Sequence, residues 1–137
     1  NDIAAAIGVA NLPDAIEAVH KHFANAERLQ AALHDLESHG VRVPPLAMGS
    51  AYWIFTILVD DRPSFVEHMT ERGIQVSQVH RRNDVHPAFN REHDIGLHGL
   101  EEFSARQVSI PCGWWLEPTH LDRIIDGVRT WAHGHRQ

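Results

Sequence analysis

Twelve histidines in 137 residues are the first chemical signal in this sequence, and metal binding is the first chemistry they raise. Their spacing argues against it. His20 and His22 lie two apart in a helical pattern, about 200° around the axis, and cannot close on one ion. His133 and His135 fall at the end of the chain. His80, His86, His93 and His98 are near one another in sequence, but they match no zinc spacing, and the single cysteine supplies no second thiolate.

Nucleophilic chemistry has equally thin support. Cys112 lies in the turn Pro111-Cys112-Gly113 with His120 within one loop of it, and a half-buried small residue is the simpler reading. No Gly-x-Ser-x-Gly elbow, P-loop or Gly-x-Gly-x-x-Gly is present. The paired carboxylates Asp60-Asp61 and Glu101-Glu102 read as turn and capping residues. The segment from Val79 to Pro87 is different. It leaves the end of an expected strand and gathers His80, Arg81, Asn83 and His86, groups that suit a phosphorylated or hydroxylated ligand. An Asp84-anchored surface loop with its charges in water accounts for the same composition equally well.

The elements that would position these residues can be read from periodicity and punctuation. Asp2 caps a short helix through Ala10, and Asn11-Leu12-Pro13 ends it. Pro13 opens a second helix reaching His39, with Gly40 as its C′ residue and an apolar stripe through Ile16, Val19, Phe23, Ala26, Leu29, Leu33 and Leu36. Val43-Pro44-Pro45 reads as an extended linker. Tyr52–Val59 reads as a strand that is apolar on both faces and so needs cover on both. A helix from Pro63 to Gly73 follows, then a strand over Ile74–Val79 and a polar loop over 81–99. A short helix near Leu100–Arg106, a strand over Gln107–Ile110 and a last helix from Glu117-Pro118 complete the order. The last helix has the core face Leu121, Ile124, Ile125, Val128 and Trp131.

This order predicts an α+β domain spanning residues 1–137. Its sheet should be small and largely antiparallel, with three or four strands and helices on one face. The other face, around Trp53, Phe55 and Ile57, has no cover within the chain and should drive dimerisation or aggregation. Hydrophobic residues at 43% and charged residues at 22% are ordinary globular values. A net charge of −6 without a basic block argues against nucleic acid or an anionic membrane as partner. The longest apolar run is too short to cross a bilayer, and one cysteine suits a reducing, cytoplasmic setting. The opening Asn1-Asp2, without methionine and running straight into helix, suggests a cut inside something longer.

Three blocks together carry a family resemblance. Asn1-Asp2-Ile3-Ala4-Ala5-Ala6-Ile7-Gly8 with Asn11-Leu12 resembles the helix that follows the lysine segment in sugar aminotransferases of the DegT–DnrJ–StrS family. Gly73-Ile74, Val79-His80 and Pro87-Ala88-Phe89 are similar to that family's central block. Ser109-Ile110-Pro111, Leu116 and Leu121-Asp122-Arg123-Ile124-Ile125 resemble its closing signature. The blocks come in the family's order and cover nearly the whole chain.

The resemblance implies the C-terminal small domain of a fold-type I aminotransferase. It implies pyridoxal 5′-phosphate as the full enzyme's cofactor, a keto-sugar nucleotide as amino acceptor and glutamate or glutamine as donor. It also implies a homodimer with active sites between domains and between subunits, where the small domain contributes to sugar-nucleotide binding and closure. By position His80 matches the family histidine near the sugar nucleotide. Asn1 and Asp2 match the start of a segment passing close to the partner subunit's cofactor, and the family's phosphate-contacting asparagine would lie just before Asn1. The cofactor-bonding lysine and the aspartate that holds the pyridine nitrogen protonated belong to an N-terminal large domain, so this chain alone is expected to bind no cofactor and be inactive. Lys21 is the only lysine, among His20 and His22 on an amphipathic helix, and is no substitute. Arg81-Arg82-Asn83-Asp84 and Cys112-Gly113-Trp114-Trp115 depart from the common family forms. A stand-alone binding or self-associating module derived from the same domain is the alternative, and an unrelated metalloenzyme rests on histidine count alone.

Overall fold

A computed structural model describes residues 1–88 and 96–134. Helix α1 (Asp2–Leu33) tightens into a 3-10 segment (His34–His39), followed by strand β1 (Val41–Arg42), strand β2 (Phe55–Val59), helix α2 (Arg62–Glu71), helix α3 (His98–Arg106), strand β3 (Gln107–Ile110) and helix α4 (Pro118–Gly134). The sheet has the order β1-β2-β3 and is antiparallel throughout, with Val41 opposite Val59 and Phe55 opposite Ile110. The predicted strand over Ile74–Val79 is reduced to one antiparallel bridge, Ser77 to Ser109, on the free edge of β3. The fold is α+β, as the pattern predicts.

Two expectations for the first third of the chain are corrected. The helix does not break at Asn11-Leu12-Pro13; α1 runs through Pro13 as one 32-residue element. Proline removes one intrahelical bond and crowds the carbonyl four residues back. The strong helix formers on both sides, Ala4–Ala6 and Ala10 before it and Ala15 after, let the helix propagate past that defect. Its N-cap is Asn1, whose Oδ1 accepts from the Ala4 amide at 2.9 Å, rather than Asp2. The far end behaves as its sequence suggests, with Gly40 at φ 79° closing the 3-10 turn in a left-handed conformation. Val41 and Arg42, just ahead of the presumed linker, pair with β2 instead of running free.

The core lies on one face of the sheet. By the period-two pleat, Phe55, Ile57 and Val59 share that face with Val108 and Ile110 of β3. Against them pack Ala26, Leu29 and Leu33 from α1, Phe65 and Met69 from α2, and Leu121, Ile124, Val128 and Trp131 from α4. The Phe65 and Trp131 rings meet edge to face at 5.2 Å, and the indole N–H donates to the Ser64 hydroxyl. The expected open face around Phe55 and Ile57 is therefore corrected: these residues are 3% and 0% exposed within the single chain, and only Trp53 stands out, at 59%.

The opposite face is small and partly polar. Leu58 sits beside Gln107, and Thr56 Oγ1 lies 3.2 Å from Ser109 Oγ. Gln107 and Ser109 are buried there, Gln107 donating to the His80 carbonyl and Gln78 to the Ser104 carbonyl. Buried polar groups need partners of this kind. Here the partners pin the 78–80 segment across the sheet.

What the described chain leaves uncovered is elsewhere. Every residue from Asn1 to Glu17 is exposed. Val9, Leu12, Ile16 and Val19 form one stripe on that arm of α1, which continues into Phe23 and Ala26 where the helix enters the core.

Candidate functional site

The candidate residues at 80–86 are held by the core described above. His80 is fixed through its backbone, since the buried Gln107 side chain donates to its carbonyl. Its ring lies 6.2 Å from the Trp53 indole, with the planes at 74°. Trp53 was not among the sequence candidates. Arg81 is exposed, and its side chain makes no hydrogen bond or ion pair with the described residues. Arg82 turns inward: its guanidinium grips Asp84 through two bonds of 2.9 and 2.6 Å and approaches Glu101 at 3.8 Å. A bidentate arginine–carboxylate pair of this sort orders a loop. The Asn83 carbonyl accepts from the His86 amide at 2.9 Å, and His86 Nδ1 accepts from the Ala88 amide at 3.2 Å. His80 and Arg81 thus point to the sheet end and to solvent, while Asn83 and His86 build the turn that follows. Phe89 and His93 lie outside the described residues, as does His135.

Asn1 and Asp2 are far from this cluster. They occupy the free end of α1, and the helix from Asp2 to His22 is about 30 Å long at 1.5 Å per residue. At His22 the helix meets the β2 end of the sheet, the ring Nδ1 lying 3.2 Å from the Ala51 carbonyl oxygen. Within one chain the two groups of candidates do not form one site.

The other chemistry raised by the sequence can be placed too. Cys112 is buried, its thiol 3.5 Å from the His22 carbonyl, and burial pushes its pKa up to about 12. His120, the nearest candidate base in sequence, accepts from the Glu117 amide at the start of α4. Cys112 is a core residue. Among the described residues no three histidine, cysteine, aspartate or glutamate side chains converge as a metal site requires. Lys21 lies on α1 with Nζ 2.8 Å from Glu17 Oε1, both side chains more than half exposed. Hydrogen bonding to the Glu17 carboxylate, and its charge, raise the lysine pKa, which favours the ammonium where covalent attachment of an aldehyde needs the free amine.

A family model for DegT/DnrJ/EryC1/StrS aminotransferases matches residues 1–129. The chain belongs to this family. Among solved structures it is similar to the sugar aminotransferase CalS13 from Micromonospora echinospora, at 32% identity and a TM-score of 0.84, covering 95% of this chain and 35% of that one. AtS13 from Actinomadura melliaura gives 31% identity and a TM-score of 0.84, over 94% and 34% of the two chains. The aminotransferase TlmJ from Streptoalloteichus hindustanus matches at 25% identity and a TM-score of 0.86, over 100% and 38%. No curated protein sequence matches significantly. The chain spans about a third of the length of these solved relatives. Aminotransferases of this family use pyridoxal 5′-phosphate; Lys21, the one lysine of this chain, is ion-paired on an exposed helix face. No described helix is long and apolar enough to cross a membrane.

Proposed function

We propose that this chain is the C-terminal small domain of a pyridoxal 5′-phosphate-dependent nucleotide-sugar aminotransferase. In that assembly it supplies part of the sugar-nucleotide site and helps close the active site, and catalysis needs a large domain that carries the lysine. The observation that carries this reading is the arm of α1. A helix that exposes Val9, Leu12, Ile16 and Val19 in one line has a face built to be buried against another unit. The short span of the chain relative to its solved relatives supports a large domain as that unit.

The position of the candidates fits the same reading. His80 and Arg81 stand at one end of the sheet as a cationic and hydrogen-bonding edge for a phosphorylated sugar. Asn1 and Asp2, carried away on the arm, belong in this reading to the partner subunit's cofactor site in a cytoplasmic homodimer.

The test is titration of the purified chain with pyridoxal 5′-phosphate, following absorbance before and after borohydride reduction. The expected result is no stoichiometric, reducible adduct, because Lys21 stands on an exposed helix face beside Glu17 and is not positioned for a bound aldehyde. A stoichiometric adduct mapping to Lys21 refutes the reading. Sedimentation of the same sample separates the alternative: a tight dimer abolished by Leu12→Asp and Ile16→Asp would favour a self-associating module.

A further inference from the structure

Trp53 is the one large side chain of the β2 segment that the chain leaves in the open, and the backbone before it is arranged to put it there. Tyr52 is the only described non-glycine residue with positive φ, at 42°. Such a conformation is costly for an aromatic residue and persists where its surroundings hold it. Here the phenol oxygen accepts from the Ala47 amide at 2.6 Å, and the ring packs against Phe23 and Phe55 at centroid distances of 5.8 and 6.2 Å. The kink ends the strand alternation at Phe55 and releases Trp53 from the sheet.

The indole meets the His80 ring. It also lines a cavity of about 280 Å³ with Pro44, Pro45, Tyr52 and Phe55. Among the described residues no charged side chain lines that cavity, and the one ionisable group among them, the Tyr52 hydroxyl, is engaged by Ala47. The volume lies just below the roughly 300–1,000 Å³ of pockets that enclose whole drug-sized ligands, so it suits one ring system. Neutral aromatic walls suit a flat base, whereas Arg81, one residue beyond His80, suits phosphate oxygens.

We propose that Trp53 is a substrate-contacting residue whose indole stacks on the base of the sugar nucleotide beside His80, with Tyr52 as the residue that positions it. The proposal rests on the nucleotide-sugar reading above. The diphosphate then leaves the apolar cavity toward Arg81.

The test uses the full chain with indole nitrogens labelled. Four tryptophans give four indole signals, and Trp53→Phe identifies that of Trp53. Uridine and thymidine 5′-diphosphates are the probes, with inorganic pyrophosphate and glucose as controls. A saturable shift of the Trp53 signal with the nucleotides, absent with both controls, is expected. Trp53→Ala should weaken nucleotide binding about five- to hundredfold, the range of base–aromatic stacking. Because Trp53 is exposed, its melting temperature should match the wild type. Tyr52→Phe should move the Trp53 signal in the free protein and weaken binding while the far-ultraviolet circular dichroism stays that of the wild type. A Trp53 signal that stays still through the titration overturns the proposal, whether or not other residues respond. So does a response to glucose alone, which would assign the wall to the sugar ring. The adduct experiment judges the aminotransferase-domain reading separately, since Trp53 has no part in it.

Discussion

The arm of α1 offers the sharpest test of how this chain is held together. From Asp2 to Leu12 the helix has no tertiary cover, and isolated helices shorter than about 12–15 residues are marginal in water. Pro13 then separates this arm from the buried portion that carries Ala26, Leu29 and Leu33. A proline inside a helix is disfavoured by about 3 kcal/mol relative to alanine, so continuing the helix across residue 13 is roughly a hundredfold less favourable than it would be with alanine. In the wild-type chain alone, amides of the arm should exchange with solvent near their intrinsic rates while those of Leu29 and Leu33 stay protected. Pro13→Ala should slow exchange in the arm by up to about a hundredfold and deepen the helical circular dichroism. The melting temperature should hold, because Pro13 touches nothing in the core. Hydrogen exchange read residue by residue is the assay. Wild-type arm amides as protected as Leu29, at a concentration where the chain is monomeric, would refute the reasoning, since the arm would then have support that its exposure denies.

Two further outcomes follow from the core. Leu29→Ala removes a fully buried core side chain and should cost about 2–5 kcal/mol in denaturant unfolding, while Leu12→Ala on the open arm should cost less than about 1 kcal/mol. Burial raises the Cys112 pKa to about 12 from an unfolded value near ~8.5, so the folded state keeps a proton that the unfolded state loses between those values. Stability should therefore be intact below about pH 8.5 and fall as pH rises toward 12, and Cys112→Ala should flatten that part of the pH–stability curve.

Legibility in the sequence followed how local the deciding interactions are. Helix α4 and strand β3 are plain because a 3.6-residue apolar period and a short strand closed by Pro111 are local signals. Helix α2 is equally plain, since Asp61 caps it through the Ser64 amide and Gly73 at φ 67° follows its end. Strand β1 is two residues long and exists through its pairing with β2, which no local pattern encodes. The segment Ile74–Val79 has strand composition, but only Ser77 makes a two-way backbone pairing, while Gln78 turns to Ser104. Pro13 misled because a proline weakens a helix without having to end it, and α1 runs through it. At the site, the histidine- and arginine-rich composition of 80–86 was visible, yet the division of labour between Arg81 and Arg82 depends on where Asp84 falls after folding. Trp53 was read as part of an uncovered sheet face because alternation was carried through Tyr52, whose left-handed backbone ends it.

The contacts that α1 and the 3-10 segment after it make with α4 set the order in which this fold can form. Arg28 reaches Asp122 at 2.6 Å and Arg129 reaches Asp35 at 2.9 Å, each pair 94 residues apart. Closing loops of that length comes late, because entropy is lost before the contact forms. During synthesis on the ribosome, α1 emerges ahead of α4 and must wait for Leu121, Ile124, Val128 and Trp131 before its buried third has a counterpart. Until then Leu29 and Leu33 stand open beside the stripe of the arm, one long greasy helix on a nascent chain. That interval is when this polypeptide is most exposed to aggregation and most in need of a chaperone, and any stop codon upstream of Pro118 would make the interval permanent.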